Sequence, residues 1–341
     1  RFFMFKYLFY QIDKKAGWFL FDGDKWKTAY TNTDLSGDLS TVFHDEYSKY
    51  AKTNGPTEAP KKGETTQEAK CNIVRNMLKK STPKKAIISQ CESLFSNPLA
   101  EMFDTNGKIT GVSNGVIEVT DKTIRFRRGK PEDYITKSTA IAYREGYTTS
   151  HPDIIEYEQW LKKLFYDEEL IHYVNKFLSS FLIARNLDKI FPVFTGKNGD
   201  EGKSAFLNIL CKTLGPYSIR NSPEFLAFVR NRNASAATPA VARAKNCRLM
   251  AVSEPDASIT LSASIIKGQT GDDPGPARLL FENGSDQDIT YILLMMCNQI
   301  PPMNEFGAPV RRRLRAIHFG SKFKDEGVPN SIEEQWRLRI F

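Results

Sequence analysis

The sequence predicts an α/β protein, in which a domain built on a mostly parallel β-sheet follows a smaller α+β accessory domain. Three observations support this fold class. Apolar strand segments alternate with helical or looped crossovers in the second half of the chain. A glycine-rich loop joins one of these strands to an amphipathic helix. Two hairpin signals lie within residues 1–150. A chain of 341 residues can bury two separate cores, and one unusually large domain is the alternative.

The composition is that of an ordinary globular protein, with 40% hydrophobic and 26% charged residues. The longest apolar run, residues 291–297, is far shorter than the roughly 20 residues of a membrane-spanning helix, so we expect no membrane segment. Residues 1–10 contain a charge and an apolar stretch but no small-residue cleavage site, which argues against a signal peptide. Because no initiator Met is present, we expect a fragment of a longer polypeptide.

The cysteines and the net charge bear on compartment and partners. Five cysteines stand without a C-x-x-C pair or nearby histidines, so neither a disulfide framework nor a zinc site is predicted, and a reducing compartment fits best. The net charge of +8 favours polyanionic partners, although a basic surface that only maintains solubility would look the same.

The N-terminal part shows two hairpins around a helical region. Residues 17–26 read as a strand, a turn at Asp22-Gly23 and the start of a second strand. Residues 55–69 contain no large apolar residue and several helix breakers, and so predict a loop or linker. Residues 70–103 are expected to be helical, and residues 113–127 alternate around a polar turn as a second hairpin.

The C-terminal part begins with apolar residues at helical spacing from Ile154 to Asn186, and we place the domain boundary near residue 150, so that residues 1–150 and 151–341 form the two domains. A helix follows the glycine-rich loop and ends before Gly215-Pro216. The predicted elements after the helical lead-in are a strand at 190–195, the helix at 203–214, and strands at 247–253, 289–297 and 314–319.

The segment from Gly196 to Ser204 has the context of a phosphate-binding loop, since it follows an apolar strand and opens a helix. Backbone N–H groups at a helix N-terminus bind phosphate, and we expect Lys203 to reach the β- and γ-phosphates and Ser204 to hold Mg²⁺. The strict pattern requires glycine at 197, where Lys197 stands. A glycine-rich turn without phosphate is the alternative. The predicted nucleotide-binding residues are Gly196, Asn198, Gly199, Asp200, Glu201, Gly202, Lys203, Ser204 and Ala205.

Two later strands end in polar side chains. Glu254 follows an apolar strand and is the candidate to activate the attacking water. An Asp commonly precedes such a Glu and holds the metal; here that residue is Ser253, and Asp256 is a weaker candidate. Asn298 ends the next buried strand and is a candidate sensor of the γ-phosphate. Taken alone, a solvated Glu and a turn-forming Asn are the simpler interpretations.

Four arginines between residues 311 and 315 precede the last apolar strand. They are either a solvated basic edge or a source of an arginine finger, which stabilises charge on a neighbouring subunit's γ-phosphate. Arg312 and Arg313 are the candidates for this catalytic role. A finger supplied in this way requires an oligomer.

The order of these motifs resembles superfamily 3 helicases, and more narrowly the primase-helicase family of poxviruses, African swine fever virus and other large nucleocytoplasmic DNA viruses. The segments that carry the likeness are 199–206, 247–255, 267–273 with 277–278, 297–301 and 312–319, and in the accessory region 18–26, 104–106, 113–116 and 131–136. The resemblance implies an AAA+-like ATPase that binds ATP and Mg²⁺ and works as a hexamer on single-stranded or forked DNA. It also implies viral genome replication in the host cytoplasm or nucleus, with other viral replication proteins as partners.

The resemblance further implies DNA contacts near Gly271-Asp272-Asp273, where Lys267 and Arg278 are the candidate residues. Contacts to the phosphate backbone suit translocation that is independent of sequence, although an ordinary surface loop would look similar. Two other functions stay open. One is a nucleotide-gated DNA-binding scaffold with weak hydrolysis, and the other is an AAA+ ATPase that acts on proteins.

Overall fold

The computed structural model describes residues 7–12, 15–29, 33–53, 67–94, 102–196, 199–230, 238–256, 258–277 and 285–323. The chain divides into two compact units. The first comprises residues 1–103 and 130–134, and the second comprises residues 104–129 and 135–341. Residues 104–129 and 135–150 therefore share the unit that contains the parallel sheet. The domain boundary near residue 150 stays a prediction.

The first unit contains an antiparallel sheet of three strands. These are β1 (Tyr7–Ile12), β2 (Lys15–Phe21) and β3 (Trp26–Ala29), in the order β1-β2-β3. The predicted hairpin at residues 17–26 is confirmed, and its turn depends on Asp22. The Asp22 Oδ1 accepts the N–H groups of Asp24 at 3.0 Å and Lys25 at 2.9 Å, which closes the turn locally. Strand β1 was not predicted.

Helices complete the first unit. They are α1 (Thr33–Asp38), which continues through a π-helical turn (Leu39–Phe43) into α2 (His44–Thr53), and then α3 (Gln67–Lys79) and α4 (Ser81–Leu94). The predicted helical region from residue 70 is thus two helices that meet at Lys80. Residues 55–66 of the predicted linker lie outside the described residues. The prediction was wrong for residues 67–69, because these residues form the start of α3. The core of this unit contains Trp18, Leu35, Leu39, Leu78 and Ile88.

A second small antiparallel sheet belongs to the second unit. It consists of β4 (Ile109–Val112), β5 (Gly115–Val119) and β6 (Ile124–Arg127). The predicted hairpin at 113–127 is confirmed as β5 and β6, whereas β4 was not expected. Two helices follow, α5 (Pro152–Leu164) and α6 (Glu168–Ser180), as the apolar spacing predicted. The Asp167 carboxylate caps α6 by accepting the Glu169 N–H at 2.9 Å.

The remaining elements form the main layer of the second unit. In chain order they are β7 (Phe191–Thr195), α7 (Lys203–Leu214), β8 (Ser218–Asn221), α8 (Pro239–Arg243), β9 (Leu249–Ser253), α9 (Ala263–Gln269), β10 (Gly275–Ala277), β11 (Ser285–Gln287), β12 (Ile292–Cys297), α10 (Ala308–Arg313) and β13 (Leu314–His318). Five strands make a parallel sheet in the order β13-β7-β12-β9-β8, while β10 and β11 pair separately as an antiparallel ribbon. The fold class is confirmed as an α/β domain with a parallel sheet, preceded by a smaller region of helices and antiparallel strands. Strands β8, β10 and β11 were not predicted.

Both faces of the parallel sheet are buried, because alternate residues of each strand enter different cores. In β12, Ile292, Leu294 and Met296 pack on one face. The intervening Leu293, Met295 and Cys297 pack on the other. This explains why the strands read as continuous apolar runs in the sequence. Pro192 fits the sheet because β12 begins to pair with β7 only at Val193.

A buried arginine joins the small sheet of the second unit to the large one. The guanidinium of Arg248, 2% exposed, donates to the carbonyls of Phe181 at 3.0 Å and Ile109 at 2.7 Å. It also lies over the ring of Tyr217, 5.0 Å from the centroid. Burial lowers the pKa of Arg248 below its ordinary value. Its charge is therefore balanced by carbonyl dipoles and a π-face.

The Tyr217 hydroxyl completes this junction. It accepts the N–H of Gly111 at 2.9 Å and donates to the carbonyl of Lys137 at 3.0 Å. Burial raises the pKa of Tyr217, so the hydroxyl keeps the proton that it donates. One phenol thus satisfies a donor of β4 and an acceptor of the segment that follows β6.

We expect Tyr217→Phe to lower the free energy of unfolding by about 2 kcal/mol, because it leaves a buried N–H and a partly buried carbonyl without their partner while the ring packing is kept. Urea unfolding followed by circular dichroism measures this change. Tyr166→Phe is the control, since Tyr166 is 79% exposed, and we expect its effect to stay within about 0.5 kcal/mol. Equal stabilities of the two variants would contradict this role of Tyr217.

Candidate phosphate-binding site

The loop between β7 and α7 has the backbone geometry of an anion site. Gly202 lies immediately before α7 in the left-handed region at φ +82°. A Cβ at this position would lie 2.6 Å from Cδ2 of Leu164, so both conformation and space require glycine. Gly199 also has a positive φ, of +75°. The free N–H groups at the start of α7 therefore follow a sharply turned glycine loop, as the sequence predicted for phosphate binding.

A buried ion pair occupies the centre of this loop. The ammonium of Lys203 contacts the carboxylate of Glu201, and their side chains are only 8% and 4% exposed. Within this arrangement Glu201 supplies the negative charge that a buried ammonium requires. The sequence suggested Glu201 as a nucleotide-binding residue, but not as the partner of Lys203.

Gly196 makes room for that pair. A Cβ at Gly196 would overlap the Glu201 carboxylate and would lie 2.6 Å from Nζ of Lys203. This is a physical reason for glycine at 196, one position before the glycine of the strict pattern. Lys197 and Asn198 lie outside the described residues. Asp200 is exposed, with a left-handed φ of +51°.

The first turn of α7 points Ser204 toward the neighbouring strand. The Ser204 hydroxyl lies 3.9 Å from Sδ of Met296, near the end of β12. Ser204 is exposed, so its oxygen is accessible to a ligand, and Ala205 beside it is half-buried. These positions agree with a hydroxyl available at the mouth of the loop.

The ends of β7, β9 and β12 meet at one edge of the sheet. Thr195 pairs with Cys297, and Met296 pairs with Ser253, so the loop after β7, Glu254 and Asn298 all leave from this edge. The N–H of Glu254 donates to the carbonyl of Met296 at 2.8 Å. Both Glu254 and Asn298 are exposed. The expected convergence of these polar residues with the glycine loop follows directly from the parallel register.

Two further features describe the chemistry of this edge. Glu254 has a left-handed φ of +53°, which is uncommon for a residue other than glycine, Asn or Asp. Burial raises the pKa of the Cys297 thiol to about 11, while nearby Lys203 opposes that rise. The thiol is therefore neutral at physiological pH and does not compete for the ammonium.

The oxygen groups that could hold Mg²⁺ are few. Over the described part of the chain, no three His, Cys, Asp or Glu side chains form a group that could bind a metal ion. The carboxylate of Asp256 accepts the N–H and hydroxyl of Ser258, at 2.8 and 2.7 Å, and these bonds lower its pKa. The donor set therefore fits a cation held by Ser204, phosphate oxygens and water better than a cation held by protein carboxylates.

The candidate arginines lie at the opposite edge of the sheet. They occupy the end of α10, and Leu314 pairs with Phe191 at the start of β7. The glycine loop begins at the other end of β7, about 13 Å away at ~3.3 Å per strand residue. Arg313 is held within the chain, since its Nε donates to Oγ1 of Thr270 and its Nη1 to the carbonyl of Pro309, both at 2.9 Å. Arg312 is exposed.

The candidate DNA-contacting residues are only partly described. Lys267, in the last turn of α9, makes an ion pair with Glu305 at 3.4 Å. Arg278 lies outside the described residues. The Gly271-Asp272-Asp273 segment lies between α9 and β10, and Asp272 pairs with two cations that the sequence analysis did not single out, Arg185 and Lys189.

A separate apolar cavity of about 480 Å³ lies away from the glycine loop. It is bordered by the small sheet, by α5 and α6 and by the later half of α7, including Ile209, Leu210 and Thr213. Trp160 and Phe206 stack at one wall, with ring centroids 5.5 Å apart. Its position beyond the first turn of α7 separates it from the residues predicted to bind phosphate.

Comparisons with known proteins find relatives in large DNA viruses, as the sequence resemblance implied. The domain family described as "D5 N terminal like" matches residues 3–166. Protein 184R of Invertebrate iridescent virus 6, provisionally named a helicase, is 32% identical over 294 residues, which cover 82% of this chain and 30% of that protein. Protein L207/L206 of Acanthamoeba polyphaga mimivirus, also provisionally named a helicase, is 27% identical over 96% of this chain and 35% of its own length.

Residues 3–166 of this chain therefore match a D5-type family, and the chain as a whole is similar to viral proteins that carry helicase names. It spans about a third of the length of these viral relatives. Among solved structures, the apo A form of the NrS-1 C terminal region is similar, with a TM-score of 0.43 and 14% identity over 71% of this chain and 66% of that one. No helix in the described parts of the chain is long and apolar enough to cross a membrane.

We expect Glu201→Gln to destabilise the nucleotide-free protein by about 3 kcal/mol, because it leaves the buried Lys203 ammonium without its counter-charge. Thermal and urea unfolding measure this effect. Asp200→Asn removes one charge from an exposed neighbour and should change stability by no more than about 0.5 kcal/mol.

A double variant shows whether the lost stability comes from the unpaired charge or from altered packing. Adding Lys203→Met to Glu201→Gln removes the unpaired charge, so most of the lost stability should return. A Glu201→Gln variant as stable as wild type would contradict the buried pair.

Proposed function

We propose that this chain contains the ATP-hydrolysing motor of a viral DNA helicase, which works as a ring on single-stranded DNA during genome replication and is part of a larger primase-helicase. The observation that carries the proposal is the buried Lys203 within a glycine loop, at the same sheet edge as Glu254 and Asn298. The helicase names of the viral relatives support the same class of activity.

In this proposal the triphosphate of ATP binds where the 196–204 loop meets α7. Lys203 exchanges part of its contact with Glu201 for the β- and γ-phosphates, and the Ser204 hydroxyl is a ligand of Mg²⁺. Bound Mg²⁺ supplies charge neutralisation of the phosphates. The Glu254 carboxylate accepts a proton from the attacking water or orients it, and the Asn298 amide hydrogen-bonds the γ-phosphate.

The arginine of the proposed motor comes from the adjoining subunit. Arg312 and the glycine loop lie at opposite ends of β7, so one copy of the chain does not bring them together. Arg312 is the better candidate of the pair, because it is exposed while Arg313 already bonds Thr270 and Pro309. A ring, with a hexamer as the expected number of copies, gives every loop a neighbouring Arg312.

DNA contacts in the proposed motor come from the region of α9 and the β10–β11 ribbon. Lys267 lies at the end of α9, and the net charge of +8 favours a polyanion. The ion pair of Lys267 with Glu305 is partly exposed, so a DNA phosphate can replace the carboxylate at small cost.

One observation favours a second candidate, a nucleotide-gated DNA-binding scaffold with weak hydrolysis. Ser253 stands beside Glu254 where an Asp would hold the metal, and Glu254 itself has an unusual backbone conformation. These features bear on metal geometry and turnover rate more than on nucleotide binding. Steady-state ATP turnover with and without single-stranded DNA distinguishes the two functions.

We expect Lys203→Ala to reduce ATP turnover and DNA unwinding at least about a hundredfold, because the developing phosphate charge loses its fixed cation. Lys212→Ala is the control, since Lys212 is an exposed lysine in the last turn of the same helix. Turnover is measured by phosphate release, and unwinding with a labelled fork. Full activity of Lys203→Ala would exclude this motor.

We expect Arg312→Ala to be inactive alone but to recover activity when mixed with the inactive Lys203→Ala protein. In a mixed ring about a quarter of the junctions combine an intact loop with an intact neighbouring arginine. Arg311→Ala, which alters an exposed arginine in the same turn, should stay active. Failure of the mixture to exceed the sum of its components, with subunit exchange demonstrated, would contradict an arginine supplied by the neighbour.

A further inference from the structure

The turn that follows α9 carries a carboxylate shared by two cations. Asp272 contacts Nζ of Lys189 through Oδ2 at 2.7 Å and Nη2 of Arg185 through Oδ1 at 3.5 Å. The bond from Lys189 is the main cause that holds the pKa of Asp272 below its usual range. Asp273 beside it makes no ion pair with any described residue, and it provides a natural comparison.

Lys189 lies in a turn whose shape is fixed. The buried Asn186 side chain bonds both backbone groups of Ile190, accepting its N–H at 2.9 Å and donating to its carbonyl at 2.7 Å. Lys189 itself has a left-handed φ of +51°, which costs a residue with a Cβ about 1 kcal/mol. Ile190 leads directly into β7, so the position of Lys189 is tied to the strand that ends in the glycine loop.

A second bond links the same turn to the arginine-bearing helix. Thr270 is fully buried at the end of α9, and its Oγ1 accepts a hydrogen bond from Nε of Arg313 at 2.9 Å. Arg313 is adjacent in the chain to Arg312, the proposed finger. The turn at 270–273 therefore contacts both the segment that precedes β7 and the end of α10.

The other end of this turn leads into β10 of the antiparallel ribbon. The Asp272 contacts are too exposed to contribute much to stability, since such ion pairs contribute about 0–1 kcal/mol. Their geometry is nevertheless specific, because one carboxylate joins the foot of the ribbon to a constrained turn before β7. These contacts are therefore better suited to carry a displacement of the ribbon to the turn before β7 than to stabilise the fold.

We propose that Asp272 is a positioning residue that couples DNA engagement at the β10–β11 ribbon to ATP turnover at the glycine loop, through its ion pair with Lys189. This inference rests on the proposed function. When DNA moves the ribbon, the ion pair carries the displacement to the turn at Lys189 and hence to β7. The bond between Thr270 and Arg313 carries the same displacement to α10. Asp272 touches neither nucleotide nor reacting atoms in this scheme.

The test uses the full 341-residue chain and compares Asp272→Asn with Asp273→Asn, two adjacent substitutions with the same change of charge. We expect Asp272→Asn to keep its turnover without DNA, its melting temperature and its affinity for a labelled single strand. Stimulation of turnover by saturating DNA should fall about fivefold or more, the usual size of a coupling between two sites. Asp273→Asn should retain wild-type stimulation.

Two more variants test the ion pair itself. Lys189→Gln should reproduce the loss of stimulation, and Asp272→Glu, which keeps the carboxylate, should restore a substantial part of it. A merely structural role would lower the melting temperature or the turnover without DNA instead. Equal stimulation of the Asp272→Asn and Asp273→Asn variants would overturn the coupling while leaving the motor intact. Wild-type turnover that is indifferent to DNA would overturn both, and Lys203→Ala turnover equal to wild type would overturn the motor and, with it, the coupling.

Discussion

The buried ammonium of Lys203 is the constraint on which the geometry of the glycine loop depends. A charge removed from water needs an opposite charge or strong acceptors close by, and Glu201 meets that need within the same loop. Space for the pair exists only because residue 196 has no side chain, and the chain enters α7 only because Gly202 adopts a left-handed conformation. Gly196 and Glu201 thus follow from one buried cation, whereas Gly202 is required by its left-handed backbone and by the nearby side chain of Leu164.

The parallel sheet and the glycine loop could be predicted from sequence because each leaves a local pattern of residue types with a direct structural cause. Helix α7 was located to the residue, since a glycine loop precedes it and Gly215-Pro216 ends it. Strands buried on both faces read as unbroken apolar runs, as in β12. Short strands such as β8 and β10 escaped detection, because three or four residues of mixed polarity carry almost no periodicity.

The candidate site was predictable as a set of residue types, but its pairings were not. The order of strands brings Glu254 and Asn298 to the edge where the loop begins, and order along the chain was enough to suggest this. That Glu201 would neutralise Lys203, or that Arg313 would bond Thr270 while Arg312 stays exposed, depends on tertiary geometry. Arg248 is the clearest case. A lone arginine at the start of a strand suggests solvent, whereas its guanidinium lies buried on carbonyls and the ring of Tyr217.

Because Arg312 and the glycine loop lie at opposite ends of β7, the number of complete pockets depends on how the copies assemble. Under the proposed division of labour, every copy contributes two halves that belong to two different pockets. An open row of copies always has one pocket fewer than it has copies, and a lone copy has none. Closing the row adds a pocket without adding protein. Specific activity should then rise steeply with concentration and level off once rings have closed, and a copy that lacks one of its two halves should impair only the junction to which that half belongs.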